Sequence, residues 1–232
     1  MSLPVRETPV RETPVRETPV QESLLDLCDE PAPGALRPQR IPLAYGAWVD
    51  VQRGWLAGSG ALFGRLAERV PWRAERRHMY ERTVDVPRLL CFYREDEQLP
   101  DPALDACRDA LTGHYRAELG EPFRTAGLCL YRDGQDSVAW HGDTIGRGSS
   151  EDTMVAILSL GTARPFLLRP RASTRNGART GNGTGTLRYN LGHGDLLVMG
   201  GSCQRTWEHA VPKSAHSAGP RISVQFRPRD VR

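Results

Sequence analysis

The stretch Arg221-Ile222-Ser223-Val224-Gln225-Phe226-Arg227 alternates strictly between polar and apolar side chains. Successive side chains of an extended strand point to opposite faces, so the alternation predicts a β-strand with one packed, apolar face. The polar face carries an arginine at each end. Six residues of strand span roughly 20 Å, and two inward-leaning arginines would narrow this gap to about the length of a small dicarboxylate. The pattern therefore predicts a carboxylate-binding strand or, as the simpler alternative, an edge strand with solvated arginines.

A second polar pattern lies upstream, in His141-Gly142-Asp143. On an extended strand the histidine and the aspartate point to the same face and can take adjacent positions around one metal ion. A third ligand must come from elsewhere, and His209, in a β-like segment, is the best candidate. Two histidines and one carboxylate on one face of a metal are typical of non-haem Fe(II) oxygenases.

Two other histidines are weaker candidates for the third ligand. His216 lies in a polar loop and is the rival of His209, whereas His193 precedes a Gly-Asp turn, where we expect a structural role. With a metal motif upstream, the arginine strand is better interpreted as a 2-oxoglutarate site than as a solvated edge.

The remaining sequence predicts a domain that is mainly β with flanking helices. From residue 126 onward, short apolar or alternating segments are separated by turn signals such as Asp133-Gly134. The continuously apolar segment 154–160 is typical of a buried strand. Amphipathic helices are expected at residues 56–70 and 102–119, and the intervening segment 78–91 is irregular or strand-like. Many short strands preceded by two helices predict a jelly-roll barrel whose helices support one sheet.

Composition narrows the functional classes. The chain has 232 residues and a formal charge of only +3, so one domain with an extension is expected and an overwhelming basic patch is not. Its cations are almost all arginine, and Lys213 is the single lysine. Five scattered cysteines without zinc-type spacing fit reduced thiols in a cytoplasmic protein. No apolar run is long enough to cross a membrane, and we expect a monomer.

The N-terminal region differs in composition from the rest. Residues 4–18 repeat Pro-Val-Arg-Glu-Thr three times, and a fourth copy decays at residues 19–23. Period-five proline with alternating charge cannot build a core, so we predict a disordered tail at residues 1–36, followed by a catalytic domain at residues 37–232.

The motifs together resemble the AlkB-type Fe(II)/2-oxoglutarate dioxygenases, which demethylate nucleic acids on a double-stranded β-helix of the jelly-roll or cupin-like kind. The resemblance covers about residues 87–227. The matching segments occur in the family's order: Leu130-Tyr131-Arg132-Asp133-Gly134, His141-Gly142-Asp143, Ala156-Ile157-Leu158-Ser159-Leu160-Gly161, Phe166-Leu167-Leu168-Arg169-Pro170, His193-Gly194-Asp195-Leu196-Leu197-Val198-Met199-Gly200-Gly201, His209-Ala210-Val211-Pro212 and the arginine strand.

The resemblance implies a metal site and a co-substrate site. Fe(II) would be bound by His141, Asp143 and His209, and these residues would also be the catalytic centre. The residues that would bind 2-oxoglutarate are Arg221, at the distal carboxylate, with Tyr131, Ser223 and, nearer the iron, Arg227. With O2 as the second co-substrate, the implied reaction is oxidative demethylation of N-alkylated bases in DNA or RNA.

The region before the catalytic core corresponds to the family's nucleic-acid grip, where Arg88 and Tyr93 are candidate contacts to methylated DNA or RNA. Packing of Phe92 and Tyr93 against the core is an equally good interpretation. Two other functions stay open, namely the same iron chemistry on a protein or small molecule, and a non-catalytic jelly-roll binding module.

The sequence departs from the family pattern at three places. Cys129 occupies a position that is often asparagine, and Ser223 and Gln225 stand where asparagine and threonine are common. The acid that commonly follows the metal motif and contacts a cationic base is replaced by Thr144 and Ile145. We expect the last change to affect the choice of base rather than the chemistry, unless Glu151 or Asp152 supplies the missing carboxylate.

Overall fold

The computed structural model describes residues 30–79, 82–144, 146–175, 185–215, 219–229 and 231. Its strands are β1 (Ala32–Pro33), β2 (Gln39–Pro42), β3 (Ala47–Gln52), β4 (Leu56–Ala57), β5 (Arg73–Met79), β6 (Arg82–Tyr93), β7 (Thr125–Tyr131), β8 (Val138–His141), β9 (Val155–Gly161), β10 (Arg164–Pro170), β11 (Leu187–Leu191), β12 (Asp195–Gly201), β13 (Trp207–Val211) and β14 (Arg221–Arg227). Its α-helices are α1 (Ser59–Arg69), α2 (Pro102–Leu119), α3 (Ala172–Arg175) and α4 (Cys203–Thr206).

Two antiparallel sheets form the barrel. The larger sheet has the strand order β2-β3-β12-β9-β14-β7-β6-β5, and the smaller one has the order β11-β10-β13-β8. Between the sheets lies the barrel core, which includes Ile157, Phe166, Leu168, Leu197, Trp207 and Val211. The predicted mainly β fold with a jelly-roll core is therefore confirmed.

Helices α1 and α2 cover the outer face of the larger sheet. The helix-side core includes Leu62, Leu66, Leu104, Leu111, Leu158 and Val224. Helix α2 begins where Asp101 accepts a hydrogen bond from the Ala103 N–H, and it ends at Gly120, whose φ is 80°. These local signals explain why its predicted bounds match the structure. Among the described residues, no helix combines the length and the apolar character needed to cross a membrane.

The folded domain begins earlier than residue 37. Strand β1 pairs with β4, the Gly34 N–H donates to the Trp55 carbonyl over 2.7 Å, and the Trp55 indole donates back to the Gly34 carbonyl over 2.9 Å. Residues 30–36, which composition assigned to the tail, are thus tied to the domain by backbone pairing and by Leu36, which packs against the helix-side core. Residues 1–29 lie outside the described part of the chain, so their predicted disorder stays a prediction.

Segment 78–91, expected to be irregular or strand-like, belongs to a long hairpin. Strands β5 and β6 pair from Arg73↔Leu90 to Met79↔Arg82, with a register shift between Ala74 and Arg76. The hairpin continues the larger sheet outward, because β6 also pairs with β7.

Candidate metal and co-substrate site

Strand β14 forms one wall of the site because it lies between β7 and β9 in the larger sheet. Its apolar side chains enter the helix-side core, so its polar side chains face the barrel interior. The register pairs Arg221 with Tyr131 and Ser223 with Cys129. The alternation in the sequence therefore predicted both faces of this strand, and the alternative of a solvated edge strand is wrong.

The smaller sheet brings the two candidate histidine ligands together. His141, at the end of β8, is the register partner of His209 on β13. Their ring centroids are 4.2 Å apart, and the His209 ring stacks on Phe166 at 5.3 Å. His209 is 6% exposed, so only small molecules that enter the barrel can reach it.

The protonation states of these side chains suit metal binding. Burial lowers the pKa of both His141 and His209, which keeps the imidazoles neutral with a free lone pair. The Nδ1 of His141 lies 2.9 Å from the Ala139 carbonyl. Because a carbonyl can only accept, this contact fixes the hydrogen on Nδ1 and leaves Nε2 available for a metal.

Asp143 is ionised in the same environment. Burial is the largest single influence on the carboxyl and raises its pKa, but the charge and hydrogen bond of Arg227 and the charges that His209 and His141 carry when protonated together outweigh it, and the pKa falls to about 2. The Arg227 Nε donates to Asp143 Oδ2 over 2.9 Å. Arg227 therefore lies beside the carboxylate of the candidate metal motif.

The route by which Asp143 reaches the site differs from the prediction. Strand β8 ends at His141, so Asp143 does not share its face by strand alternation. The chain turns here instead, and the Thr144 N–H donates to the Gly142 carbonyl over 2.8 Å. The Asp143 N–H is held by the side-chain oxygen of Gln204 at 3.0 Å, and Gln204 is 1% exposed.

A clamp of Arg171 and Gln204 connects the two segments that carry ligands. The Arg171 guanidinium donates to the carbonyls of Gln204 and Trp207, two residues before His209. A Cβ at Gly142 would lie 2.2 Å from Arg171 Nη2 and 2.9 Å from the Gln204 carbonyl oxygen. Only a glycine lets the metal motif approach the clamp this closely. The sequence analysis missed both clamp residues, because each acts on a partner distant in the chain.

The donor set fits Fe(II) chemically, although the ligands are not yet in coordinating geometry. Across the described ranges, no three side chains of the His, Cys, Asp and Glu types are arranged to hold an ion as they stand. The Asp143 carboxylate is paired with Arg227 instead. Two neutral imidazoles and an ionised carboxylate nevertheless form the donor set preferred by non-haem Fe(II), so we retain His141, Asp143 and His209 as the candidate ligands.

The end of strand β14 opposite Arg227 carries a buried guanidinium whose chemistry suits an anion. Arg221 is 1% exposed, and its Nε donates to the Ser159 hydroxyl over 3.0 Å. Its Nη1 is buried and has no hydrogen-bond partner among the described residues. The Cζ of Arg221 lies 5.3 Å from the centre of the Tyr131 ring, and burial raises the pKa of this tyrosine to about 12. An unpaired buried guanidinium next to two hydroxyl groups matches a carboxylate.

The departures from the family pattern on strands β7 and β14 contact one another. The Gln225 amide nitrogen lies 2.6 Å from Ser223 Oγ, and the Cys129 thiol lies 3.7 Å from the Gln225 side-chain oxygen. Ser223 is therefore on the expected face, but its hydroxyl already accepts a hydrogen bond from Gln225. Cys129, Ser223 and Gln225 thus form one contact chain along the wall between Arg221 and Arg227.

The two candidate nucleic-acid residues have different surroundings. Arg88 lies on the inward face of β6, where its charge lowers the pKa of His141 and its Nη1 donates to the Ser137 carbonyl over 3.2 Å. Tyr93 is the register partner of Ala126 and packs against the helix-side core, so it does not face the site. Phe92, on the opposite face of the strand, is 40% exposed and is a better aromatic candidate.

The sequence-based hypotheses about the remaining histidines and about the acid after the metal motif have different outcomes. The structural role expected for His193 agrees with its Nδ1 accepting the Gly161 N–H over 2.7 Å. Asp152 pairs with Arg205, so this acid is not free to replace the missing one. Ile145 and His216 lie outside the described residues, and the hypotheses about them stay predictions.

Comparison with known proteins agrees with this geometry. Residues 57–227 match the family described as the 2OG-Fe(II) oxygenase superfamily. The chain is 30% identical over 198 residues to alpha-ketoglutarate-dependent dioxygenase alkB homolog 3 of Homo sapiens, covering 79% of this chain and 64% of that protein. It is 28% identical over 208 residues to DNA oxidative demethylase ALKBH2 of Arabidopsis thaliana, covering 78% and 63% respectively. The chain thus spans slightly less than two thirds of the length of these relatives.

The solved structure of OsALKBH1 has the same fold. It matches with a TM-score of 0.55 at 13% identity and covers 82% of this chain and 100% of that chain. The family match contains every described residue of the candidate site, from Arg88 to Arg227. The chain therefore belongs to the 2OG-Fe(II) oxygenase superfamily, and its resemblance to the AlkB-type dioxygenases is confirmed.

Proposed function

We propose that this protein is an Fe(II)- and 2-oxoglutarate-dependent dioxygenase that removes N-linked methyl groups from bases in DNA or RNA. The products would be the repaired base, formaldehyde, succinate and CO2. The observation that carries the proposal is the arrangement along strand β14, where Arg227 pairs with Asp143 of the candidate metal motif at one end and the buried, partly unpaired Arg221 lies at the other. The names of the alkB homolog 3 and ALKBH2 relatives support the substrate class.

One group of residues would bind Fe(II) and another would bind the distal carboxylate of 2-oxoglutarate. His141, Asp143 and His209 would hold Fe(II), and the fixed tautomer of His141 would present Nε2 to it. Arg221, Tyr131 and Ser159 would bind the distal carboxylate of 2-oxoglutarate. Bound Fe(II), with 2-oxoglutarate and O2, supplies the oxidising chemistry that hydroxylates an N-methyl group, and the hydroxymethyl product releases formaldehyde.

The protein would contribute orientation and shielding from water. Asp143 and His209 are 5% and 6% exposed, and Tyr131 and Arg221 are 3% and 1% exposed, so a co-substrate here would be bound away from bulk solvent. Arg227 would keep the Asp143 carboxylate ionised and in place before the metal binds. A target base would have to leave its stack to reach this interior. Arg88 on the inward face of β6 and the exposed ring of Phe92 would be the residues that contact the nucleotide, a role supported by their charge and exposure.

Formaldehyde release tests the proposal directly. Purified protein with Fe(II), 2-oxoglutarate and ascorbate would be incubated with oligonucleotides that contain 1-methyladenine or 3-methylcytosine, single- and double-stranded, as DNA and as RNA. A His209→Ala variant is the matched control. We expect formaldehyde and succinate in equal amounts, dependent on the modified base.

Other outcomes would favour the alternatives. Succinate formation stimulated by a peptide or small-molecule panel, but not by methylated oligonucleotides, would move the substrate to another class. Failure to bind Fe(II) and failure to convert 2-oxoglutarate would favour the non-catalytic binding module.

A further inference from the structure

Arg164 is a buried cation that the sequence analysis did not single out. It lies on β10 with 0% exposure. Its neighbours Phe166 and Leu168, at alternate positions of the strand, belong to the barrel core, so Arg164 points to the barrel interior as well. A guanidinium enclosed in this way needs a physical reason, because burying a charge costs several kcal/mol unless it is paired.

The partners of Arg164 are neutral. Its Nη1 donates to the Asp133 carbonyl, and its Nη2 donates to the carbonyls of Asp136 and Pro212, each over 2.8 Å. Its Nε is buried and has no hydrogen-bond partner within the described ranges. Asp136 is the nearest candidate counter-ion, but both of its carboxylate oxygens accept hydrogen bonds from Arg132.

Arg164 and Arg221 stand beside the same aromatic ring. Their Cζ atoms lie 5.7 Å and 5.3 Å from the centre of the Tyr131 ring. Neither guanidinium forms an ion pair in the described part of the chain, and each has one buried nitrogen without a partner. Burial lowers the pKa of both arginines, and the charge of Arg164 lowers that of Arg221 further. This end of the barrel therefore carries two positive charges without an ion pair. The carboxylates of Asp133 and Asp136 act on Arg164 only through their charge, and that of Asp136 is bound by Arg132.

We propose that Arg164 is a specificity-determining residue of the co-substrate site, which together with Arg221 selects a 2-oxo acid that carries a second carboxylate. The proposal rests on the function proposed above and adds a residue to it. Arg221 supplies the direct contact, and Arg164 adds a second charge of the same sign. A co-substrate with a methyl group in place of the distal carboxylate gives neither guanidinium an ion-pair partner. A distal carboxylate gives both guanidinium groups an opposite charge.

Arg164 also positions the parts of the site that surround Tyr131. The carbonyls of Asp133 and Asp136 belong to the turn that follows Tyr131, and Pro212 follows the strand that carries His209. A structural role alone would stabilise these segments and affect all co-substrates equally. The distinguishing readout is therefore the ratio of affinities for two ligands, not the affinity for one.

Calorimetric titration of the Mn(II)-loaded protein with 2-oxoglutarate and with 2-oxopentanoate measures that ratio without turnover. The second ligand has the same chain length with a methyl group in place of the distal carboxylate. We expect Arg164→Gln to weaken 2-oxoglutarate binding by about tenfold or more and 2-oxopentanoate binding by less than about threefold. Arg169→Gln is the matched control, because Arg169 lies on the same strand but pairs with Glu208 on the outer face and stacks on Trp140.

Folding of the variants must be checked by circular dichroism, since three carbonyls lose their donor in Arg164→Gln. If that variant does not fold, Arg164→Met decides, because methionine removes the charge while an apolar side chain of similar length can replace a buried charged group. It should also weaken 2-oxoglutarate more than 2-oxopentanoate, by about threefold or more. Equal weakening of both ligands, or no change, would overturn the inference. Wild-type protein that binds no 2-oxoglutarate would instead contradict the proposed function itself, and the inference would fall with it.

Discussion

Arg227 Nε donates to Asp143 Oδ2 over 2.9 Å, so the carboxylate of the metal motif is held by a cation from the last strand of the barrel. The two side chains are only 13% and 6% exposed. Leaving one member of a buried pair without its partner is costly. The pair therefore keeps the carboxylate of the candidate metal motif ionised inside the barrel.

Replacing Arg227 should destabilise the metal-free protein more than the metal-bound protein. We expect Arg227→Met to lower the free energy of unfolding in EDTA by about 3 kcal/mol, because Asp143 is left buried and unpaired. Mn(II) should restore more stability to the variant than to the wild type, since the metal replaces the lost charge. Denaturant unfolding with and without Mn(II) measures both effects. The control is Arg205→Met, which removes the more exposed ion pair with Asp152 and should change the free energy of unfolding by less than about 1 kcal/mol. If Mn(II) stabilises Arg227→Met and the wild type equally, the account is refuted.

A methyl group at Gly142 should damage the metal site. In Gly142→Ala, the new Cβ meets Arg171 Nη2 at 2.2 Å and the Gln204 carbonyl oxygen at 2.9 Å, so the clamp or the turn must move. We expect a loss of about 1–3 kcal/mol in stability and at least about tenfold weaker Mn(II) binding. The control is Gly64→Ala in helix α1, where nothing lies within 4 Å and alanine should be neutral or stabilising. Unchanged Mn(II) affinity in Gly142→Ala would show that the clamp does not position Asp143.

Lysine at position 221 separates charge from geometry. In the wild type, the Arg221 guanidinium donates from Nε to Ser159 and has Nη1 free for a ligand. Arg221→Lys keeps the positive charge but cannot make both contacts, because it lacks the planar guanidinium. The apparent KM for 2-oxoglutarate should rise by about tenfold, while Mn(II) affinity stays close to that of the wild type. Steady-state kinetics over a range of 2-oxoglutarate concentrations check the first effect and calorimetry checks the second. An unchanged KM would remove Arg221 from the co-substrate site.

Asp136, in the turn after Tyr131, should make the free energy of unfolding decrease at acid pH. Hydrogen bonds from Arg132 lower the pKa of Asp136 below its usual value of 3.8. A carboxyl whose folded-state pKa is lowered adds stability above the usual pKa, and this contribution is lost as the pH falls through the lower, folded-state pKa. Asp136→Asn should therefore be less stable than the wild type at pH 6, and the difference should shrink as the pH falls below about 4. A difference that does not vary between pH 6 and pH 3 would contradict this role.

The sequence predicted features that depend on local pattern. Strand β14 could be assigned with its two faces because its alternation is uninterrupted, and helix α2 because Asp101 and Gly120 mark its ends. His141 and His209 could be paired as candidate ligands because few histidines compete with them. Their register as opposite residues of β8 and β13 could be seen only in the structure.

The missed residues act over long distances in the chain. Gln204 holds the backbone of a residue 61 positions away, and Arg164 donates to carbonyls 28 to 48 positions away. A glutamine or arginine of this kind leaves no periodic signal, because its role depends on which strands meet in the folded barrel. The two interpretations of Tyr93 could not be separated for a related reason: the face of β6 on which it lies is set by pairing with β7, not by its own neighbours in the sequence.

The most direct test of the central claim is formaldehyde release from a 1-methyladenine oligonucleotide by the wild type and by single variants of the three candidate ligands. Wild-type protein should release formaldehyde in proportion to succinate, whereas His141→Ala, Asp143→Ala and His209→Ala should each release none above background. His193→Ala should retain most of the activity, because this histidine binds the Gly161 N–H away from the metal end. Full activity in His209→Ala, or wild-type succinate formation that no methylated base stimulates, would contradict the account.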